Sequence, residues 1–302
     1  MQARDASDNR FRRCLESGHF AVTAELTPPR GAELGSLTEA ARLLKPAVTA
    51  IKLTDGPGAS VRMAGLAAAI HLRGQGVEPI LQLTCRDRNR IAIQADLLGA
   101  AAHGIGNLLV LGGDRLADDD DATPVFDFDS RSLLAAVRQL CDEGTTLAGD
   151  ALSVAPDFFC GVADIPVEPV DGWRPAALID KCAAGARFVQ TQYCFDLGLL
   201  ERYVAALREH GLTERLYLLA GLGPLRSADG ARWMREQLFG TVIPDGIIRR
   251  MEAARDPQAE GIEICAELIA GAREIEGIAG VHLMAPGRHA AIVDSIRLAG
   301  LL

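Results

Sequence analysis

The segment "EPILQLTCRDRNRIAIQADLLGAAAHGIGNLLVLGG" (residues 78–113) decides the fold. It opens on a short apolar, β-rich run at 78–85 and closes on another, NLLVLGG, at 107–113. Between them, residues 89–104 carry apolar side chains at i, i+3, i+4 spacing and stop at Gly104, as a helix should. Strand, helix, strand is a crossover unit. Its two strands pair in parallel, and the connection is right-handed.

The same alternation extends both ways. Further strand-like runs lie at 20–26, 48–54, 152–160, 187–194, 215–222 and 280–286. Helical patterns fill 34–45, 60–76, 130–144, 173–186 and 197–211. Eight strand–helix units in a chain of 302 residues predict an α/β fold of the (β/α)₈ barrel type. Residues 1–302 read as a single catalytic domain, with 1–17 as an N-terminal extension and 227–276 as an extra helix pair before the last strand. An open doubly wound sheet is the rival, but no GxGxxG follows the first strand.

Composition narrows the function. The chain is 49% hydrophobic but only 5% aromatic, which suits helices packed on an aliphatic sheet. A net charge of −9 argues against nucleic acid as a partner. The seven cysteines are scattered, odd in number and free of CxxC spacing, so neither a disulfide framework nor a zinc site is expected. The six histidines form no HxH or HExxH pair, and no GxSxG occurs. The first residues hold no apolar leader, and no run is long enough to cross a bilayer; a soluble, cytoplasmic protein is expected. The acidic run Asp118–Asp121 reads as a solvated loop.

Barrel active sites lie at the C-terminal ends of the strands. Glu25 ends the first strand, just before Pro28-Pro29. A carboxyl in a partly apolar pocket would be expected to rise in pKa and serve as a general acid. Thr54 ends the second strand, Thr84 the third, and Gly112-Gly113-Asp114 the fourth, while Gln190, Thr191 and Gln192 lie along the sixth. Glycines before Asp114 permit close backbone approach of a ligand. Adjacent polar residues on a buried strand need partners, which makes Gln192 a candidate ligand contact. Arg288, after the last strand, is a candidate anion contact.

Taken in order, AELTPPRG, LTDGPG, LQLTCRDRN, NLLVLGGD and FVQTQYCFD resemble the 5,10-methylenetetrahydrofolate reductase family, in its short bacterial form without a regulatory domain. The resemblance runs from about residue 18 to residue 300. It implies an oxidoreductase that interconverts 5,10-methylenetetrahydrofolate and 5-methyltetrahydrofolate through FAD, with NAD(P)H as electron donor. It implies that Glu25 is the general acid and Asp114 its catalytic companion. Folate contacts would fall to Glu25, Asp114, Gln192 and Arg288; flavin contacts to Thr54, Gln82, Thr84, Gly113, Asp114 and Lys181.

The chain also departs from the family pattern. Gly112 stands where an arginine usually meets the flavin phosphates, and Gln82 where a histidine is usual. A YPxxHP segment is replaced by Ile165-Pro166 and Val167-Glu168-Pro169; Arg174 and Ala177 replace an aspartate and an asparagine. Arg86, Arg88, Arg90 or Arg174 is the expected substitute as phosphate partner. A flavin-independent reductase using NAD(P)H directly and a redox-inactive folate-binding barrel are the alternatives. A pterin-dependent methyltransferase would need a corrinoid partner or a thiolate zinc site, and the cysteine spacing offers neither. Reaction direction, NADH versus NADPH, and whether the chain forms a homo-oligomer stay open.

Overall fold

The computed structural model describes residues 9–116 and 122–302, so Asp118–Asp121 lie outside the described residues. In chain order the elements are α1 (Arg10–Glu16), β1 (Ala21–Leu26), α2 (Gly35–Leu44), β2 (Ala50–Leu53), α3 (Gly65–Gly74), β3 (Pro79–Thr84), α4 (Arg90–Ala102) and β4 (Asn107–Leu111). Then come α5 (Ser130–Arg138), β5 (Phe159–Asp164), α6 (Ala176–Ala184), β6 (Phe188–Tyr193), α7 (Leu197–Glu209) and β7 (Tyr217–Leu222). The chain finishes with α8 (Ala228–Gln237), α9 (Asp245–Ala253), α10 (Pro257–Glu274), β8 (Ile278–Leu283) and α11 (His289–Leu298). Strands β1 to β8 pair in sequence order, all parallel, and β8 closes onto β1. The expected (β/α)₈ barrel is the observed fold. The extra helices are α8 and α9, which precede the crossover helix α10.

The strand expected at 152–160 is displaced. β5 begins at Phe159, where it pairs with Asn107 of β4. Pro156 cannot donate to a ladder, so the run before it is a loop, tied by the Thr145–Ala151 bridge.

Strand alternation sorts the side chains. Val22, Ala24, Leu26, Ile51, Leu53, Leu81, Leu83, Leu108 and Val110 face outward into the core under the helices. The opposite faces point into the barrel. Its lower layer is apolar: Ala21, Ala50, Ile80, Leu109, Phe159, Phe188 and Leu219 form one cluster. Phe11 and Leu15 of α1 complete it, so residues 10–16 plug the N-terminal mouth. Phe11 meets Phe188 edge-on at 5.1 Å and Phe159 at 6.0 Å. Gly161 makes room for this layer, since a Cβ there would sit 2.3 Å from the Phe188 ring. Above the plug the same inward rows turn polar: Thr23 then Glu25 on β1, Lys52 then Thr54 at β2, Gln82 then Thr84 on β3, Gln190 then Gln192 on β6.

Candidate active site

The polar rows converge at the C-terminal mouth. Glu25 and Lys52 are register partners on β1 and β2, and Lys52 Nζ lies 2.7 Å from Glu25 Oε2. Lys52 is buried and Glu25 nearly so. From the other side, His282 Nε2 of β8 stands 4.0 Å from the same oxygen. His282 Nδ1 shares a 2.9 Å hydrogen bond with Thr23 Oγ1, which also accepts from Gln190 Nε2 at 3.3 Å.

These neighbours reverse one expectation. Burial alone would push the Glu25 carboxyl up, as the sequence reading assumed. The Lys52 ammonium and the His282 imidazole outweigh burial and hold it down at about 2. Glu25 is therefore a carboxylate at neutral pH. Burial and the nearby Lys52 charge depress His282 to about 4, against the pull of Glu25, so the imidazole is neutral. The sequence carried no direct sign of this arrangement. Lys52 reads as one residue of an apolar run until the period-2 alternation puts it on the Thr54 face.

Among the described residues, Thr54 Oγ1, Gln190 Oε1 and His282 Nε2 are buried at this mouth without a hydrogen-bond partner, as are Arg62 Nε and Arg88 Nε in the loops after β2 and β3. Buried polar atoms ordinarily find partners, so the first three are ready contacts for a polar ligand. A cleft of about 210 Å³ opens beside Glu25, walled by Leu26, Pro29, Pro286 and His289. A larger cleft of about 600 Å³ lies at the opposite end of the barrel, between α5, α6 and the starts of β5 to β7; none of the expected site residues lines it.

The other expected residues divide by position. Asp114 is exposed on the rim, and its Oδ2 accepts from Gly58 N at 2.7 Å, joining the loops after β4 and β2. Gly113 before it adopts φ +103°. Gln192 is held at both ends: Oε1 accepts from Tyr193 N at 2.9 Å and Nε2 donates to Phe239 O at 3.1 Å. Lys181 reaches from α6 to the Ala163 carbonyl at 2.9 Å. Thr84 donates its N–H and its hydroxyl to Asp55 Oδ2, at 2.9 and 2.8 Å. Gln82 is buried in the row below Thr84. Arg288 is half-buried and donates to Pro224 O at 3.1 Å. Burial and the like charge of Arg226 lower its pKa. Arg226 is a second cation at this edge, and the sequence reading missed it.

The arginines expected to grip a flavin diphosphate are occupied. Arg86 binds Asp87 through Nε and Nη2 at 2.6 and 2.8 Å, and also donates to the carbonyls of Gly56 and Asp114. Arg88 pairs with Asp55 and Asp96, and Arg90 with Asp127. Arg174 is exposed. Arg62, bonded to the Pro28 carbonyl, and the exposed Arg115 stand at the rim without forming a prepared cradle. Thr54 Oγ1 could meet a ring edge, but the residues present do not fit a tightly held FAD.

The cysteines are free, and most are buried, with thiols raised by burial; among the described residues no group of His, Cys, Asp and Glu could hold a metal. No described helix is long and apolar enough to cross a membrane.

The family model for methylenetetrahydrofolate reductase matches residues 10–298. This chain belongs to the methylenetetrahydrofolate reductase family. A relative from Caenorhabditis elegans, named probable methylenetetrahydrofolate reductase (NADPH), is 26% identical over 231 residues, which is 75% of this chain and 33% of the relative. Methylenetetrahydrofolate reductase 2 of Schizosaccharomyces pombe is 27% identical over 198 residues, 61% of this chain and 28% of the relative. The chain thus matches about a third of the length of these curated reductases. A solved structure from Clostridium thermocellum, an uncharacterized protein that binds two copies of 5-methyl-5,6,7,8-tetrahydrofolic acid, superposes with a TM-score of 0.64 at 15% identity, covering 96% of this chain and 97% of that one. EDTA monooxygenase from Chelativorans sp. BNC1 gives a TM-score of 0.55 at 13% identity, covering 93% of this chain and 92% of that one. At these identities the structures speak for the barrel fold.

Proposed function

We propose that this chain interconverts 5,10-methylenetetrahydrofolate and 5-methyltetrahydrofolate, with hydride supplied by NAD(P)H. The observation that carries the reading is the Glu25 carboxylate, inward-facing at the barrel mouth beside three unpartnered polar atoms, in a chain of the reductase family. The name of the Caenorhabditis elegans relative supports a nicotinamide co-substrate, and the Clostridium thermocellum protein supports a folate at a barrel of this shape.

Opening the five-membered ring of the substrate needs a proton on N10. Glu25 is placed to deliver it. The C–N10 bond breaks, and the cationic iminium at N5 accepts hydride from the reduced nicotinamide. Carboxylate and amide groups suit the charge that develops there, and Asp114 and Gln192 take that part. The anionic tail of folate needs a local cation in a protein of net charge −9, and the Arg288–Arg226 edge provides one.

FAD is the intermediary the family resemblance implies. The aspartate partners of Arg86, Arg88 and Arg90 favour the flavin-independent form, in which nicotinamide and folate meet directly. The deciding experiment assays NAD(P)H oxidation with 5,10-methylenetetrahydrofolate on protein whose absorption spectrum is recorded first. Methyltetrahydrofolate formation without a band near 450 nm is the expected result. No turnover with either nucleotide, with or without added FAD, rejects the reductase reading.

A further inference from the structure

We propose that Lys52 stores the proton that Glu25 delivers, so that the working acid is the Lys52–Glu25 pair and not the carboxyl alone. The inference rests on the folate reading above and deepens it. Its basis is geometric: an ammonium and a carboxylate on adjacent strands, in register, 2.7 Å apart, at the one level of the barrel where the lining changes from apolar to polar.

A carboxyl that is ionised at neutral pH has no proton of its own to give. It must receive one from a neighbour as it passes one on. The titratable groups around the pair are His282 on β8, Tyr193 on β6 and His289, which walls the cleft beside Glu25 and which burial lowers. His282 is neutral, since burial lowers it to about 4. Tyr193 donates its hydroxyl to Met284 O at 2.8 Å, and burial raises its pKa, so it keeps its proton. Thr23, Gln82 and Gln190 supply dipoles but no acid. Lys52 is the charged proton carrier already hydrogen-bonding the relevant oxygen.

An N–H bond of Lys52 breaks and an O–H bond forms at Glu25 Oε2. The Glu25 O–H bond then breaks as N10 of the substrate gains the proton and its bond to the methylene carbon opens. Lys52 is left as the neutral amine and Glu25 as the carboxylate. Hydride from NAD(P)H reduces the iminium, and a solvent proton restores Lys52. One hydride and one proton are consumed per methyl group formed.

Two substitutions separate a proton store from a structural prop. Lys52→Arg keeps the positive charge beside Glu25, but a guanidinium does not release its proton in proteins. Methylenetetrahydrofolate reduction should fall about 10²–10⁴-fold, the usual contribution of a positioned acid, with the Kd for 5-methyltetrahydrofolate within a few-fold of the parent. Lys52→Met removes the charge, so burial raises the Glu25 carboxyl. That variant should outperform Lys52→Arg below neutrality and lose activity as pH rises through the new carboxyl pKa. The unmodified protein needs no variant for its own test: activity should persist from pH 4 through neutral pH. Near-parental kcat with an unshifted profile in Lys52→Arg overturns the inference, as does a parental decline between pH 4 and 7. A parent that never reduces methylenetetrahydrofolate rejects the reductase reading itself, which is a different result.

Discussion

The imidazole of His282 and the carboxylate of Glu25 face each other across the β8–β1 seam at 4.0 Å, too far for a hydrogen bond and close enough for their charges to couple. Both titrate below their ordinary values, and both shifts act on stability in one direction. Below about pH 6.5 the unfolded chain protonates the histidine first, so stability falls until the folded imidazole also protonates near 4. Below about 4.5 the unfolded glutamate protonates first, and stability falls again towards the folded value of about 2. Denaturant midpoints should therefore drop steadily from pH 7 to pH 3. His282→Gln should flatten the upper part of that decline, which on the stated shift is of order 3 kcal/mol. Equal slopes in the two proteins between pH 6.5 and 4 would rule out a buried neutral histidine.

Glu25→Gln keeps the shape of the side chain and removes its capacity to carry a proton. Folate binding should survive. Methyl formation should fall about 10²–10⁴-fold. Near-normal turnover would move the acid elsewhere.

The flavin prediction concerns affinity. The aspartate-bound Arg86, Arg88 and Arg90 leave the diphosphate of FAD to compete for partners already taken. Each charge-assisted hydrogen bond forgone is worth about 1.5–3 kcal/mol. Purified protein should be colourless near 450 nm, and FAD titration should show weak binding or none. A stoichiometric yellow protein would restore the flavin route.

At the opposite edge of the mouth, Arg288 and Arg226 carry like charges close enough to disfavour each other. An anion between them would relieve that strain. On the proposed folate reading, Arg288→Ala and Arg226→Ala should each raise the KM for folate with kcat little changed, because a tail held there would be remote from the reacting nitrogen. Steady-state kinetics with varied folate checks this; a loss confined to kcat would assign both residues another task.

The barrel itself was readable because its signals are local and repeated. Most strands announce themselves as short apolar or alternating runs, and most crossovers as helical runs. β5 was misplaced because the apolar residues around Pro156 imitate a strand, while the true start is set by pairing with β4. The candidate site rests on family resemblance and strand position. What stayed hidden is what closure creates. Glu25 and Lys52 are 27 positions apart in sequence, and nothing local shows that parallel register makes them partners. The same holds for Arg88 and Arg90, which look free in sequence until the loops after β2, β3 and β4 bring Asp55 and Asp127 to them, whereas Arg86 pairs with its neighbour Asp87.

The mobile nicotinamide and the folate would both be handled at one end of the barrel, so damage to the other end should cost stability and spare kinetics. Phe11→Ala should destabilise by about 3–5 kcal/mol through the cavity left under Phe159 and Phe188, with KM and kcat unchanged at a temperature where the protein stays folded.

That aromatic plug also constrains the order of assembly on the ribosome. Phe11 is made well before Phe188 and Leu219, which complete its seat. Until β6 and β7 are synthesised, α1 has no completed surface to dock on. Phe11 and Leu15 must stay exposed, or be held by a chaperone, while the strands between are translated. Its docking is then a checkpoint: the plug seats only on a barrel whose distant strands have arrived in the right places.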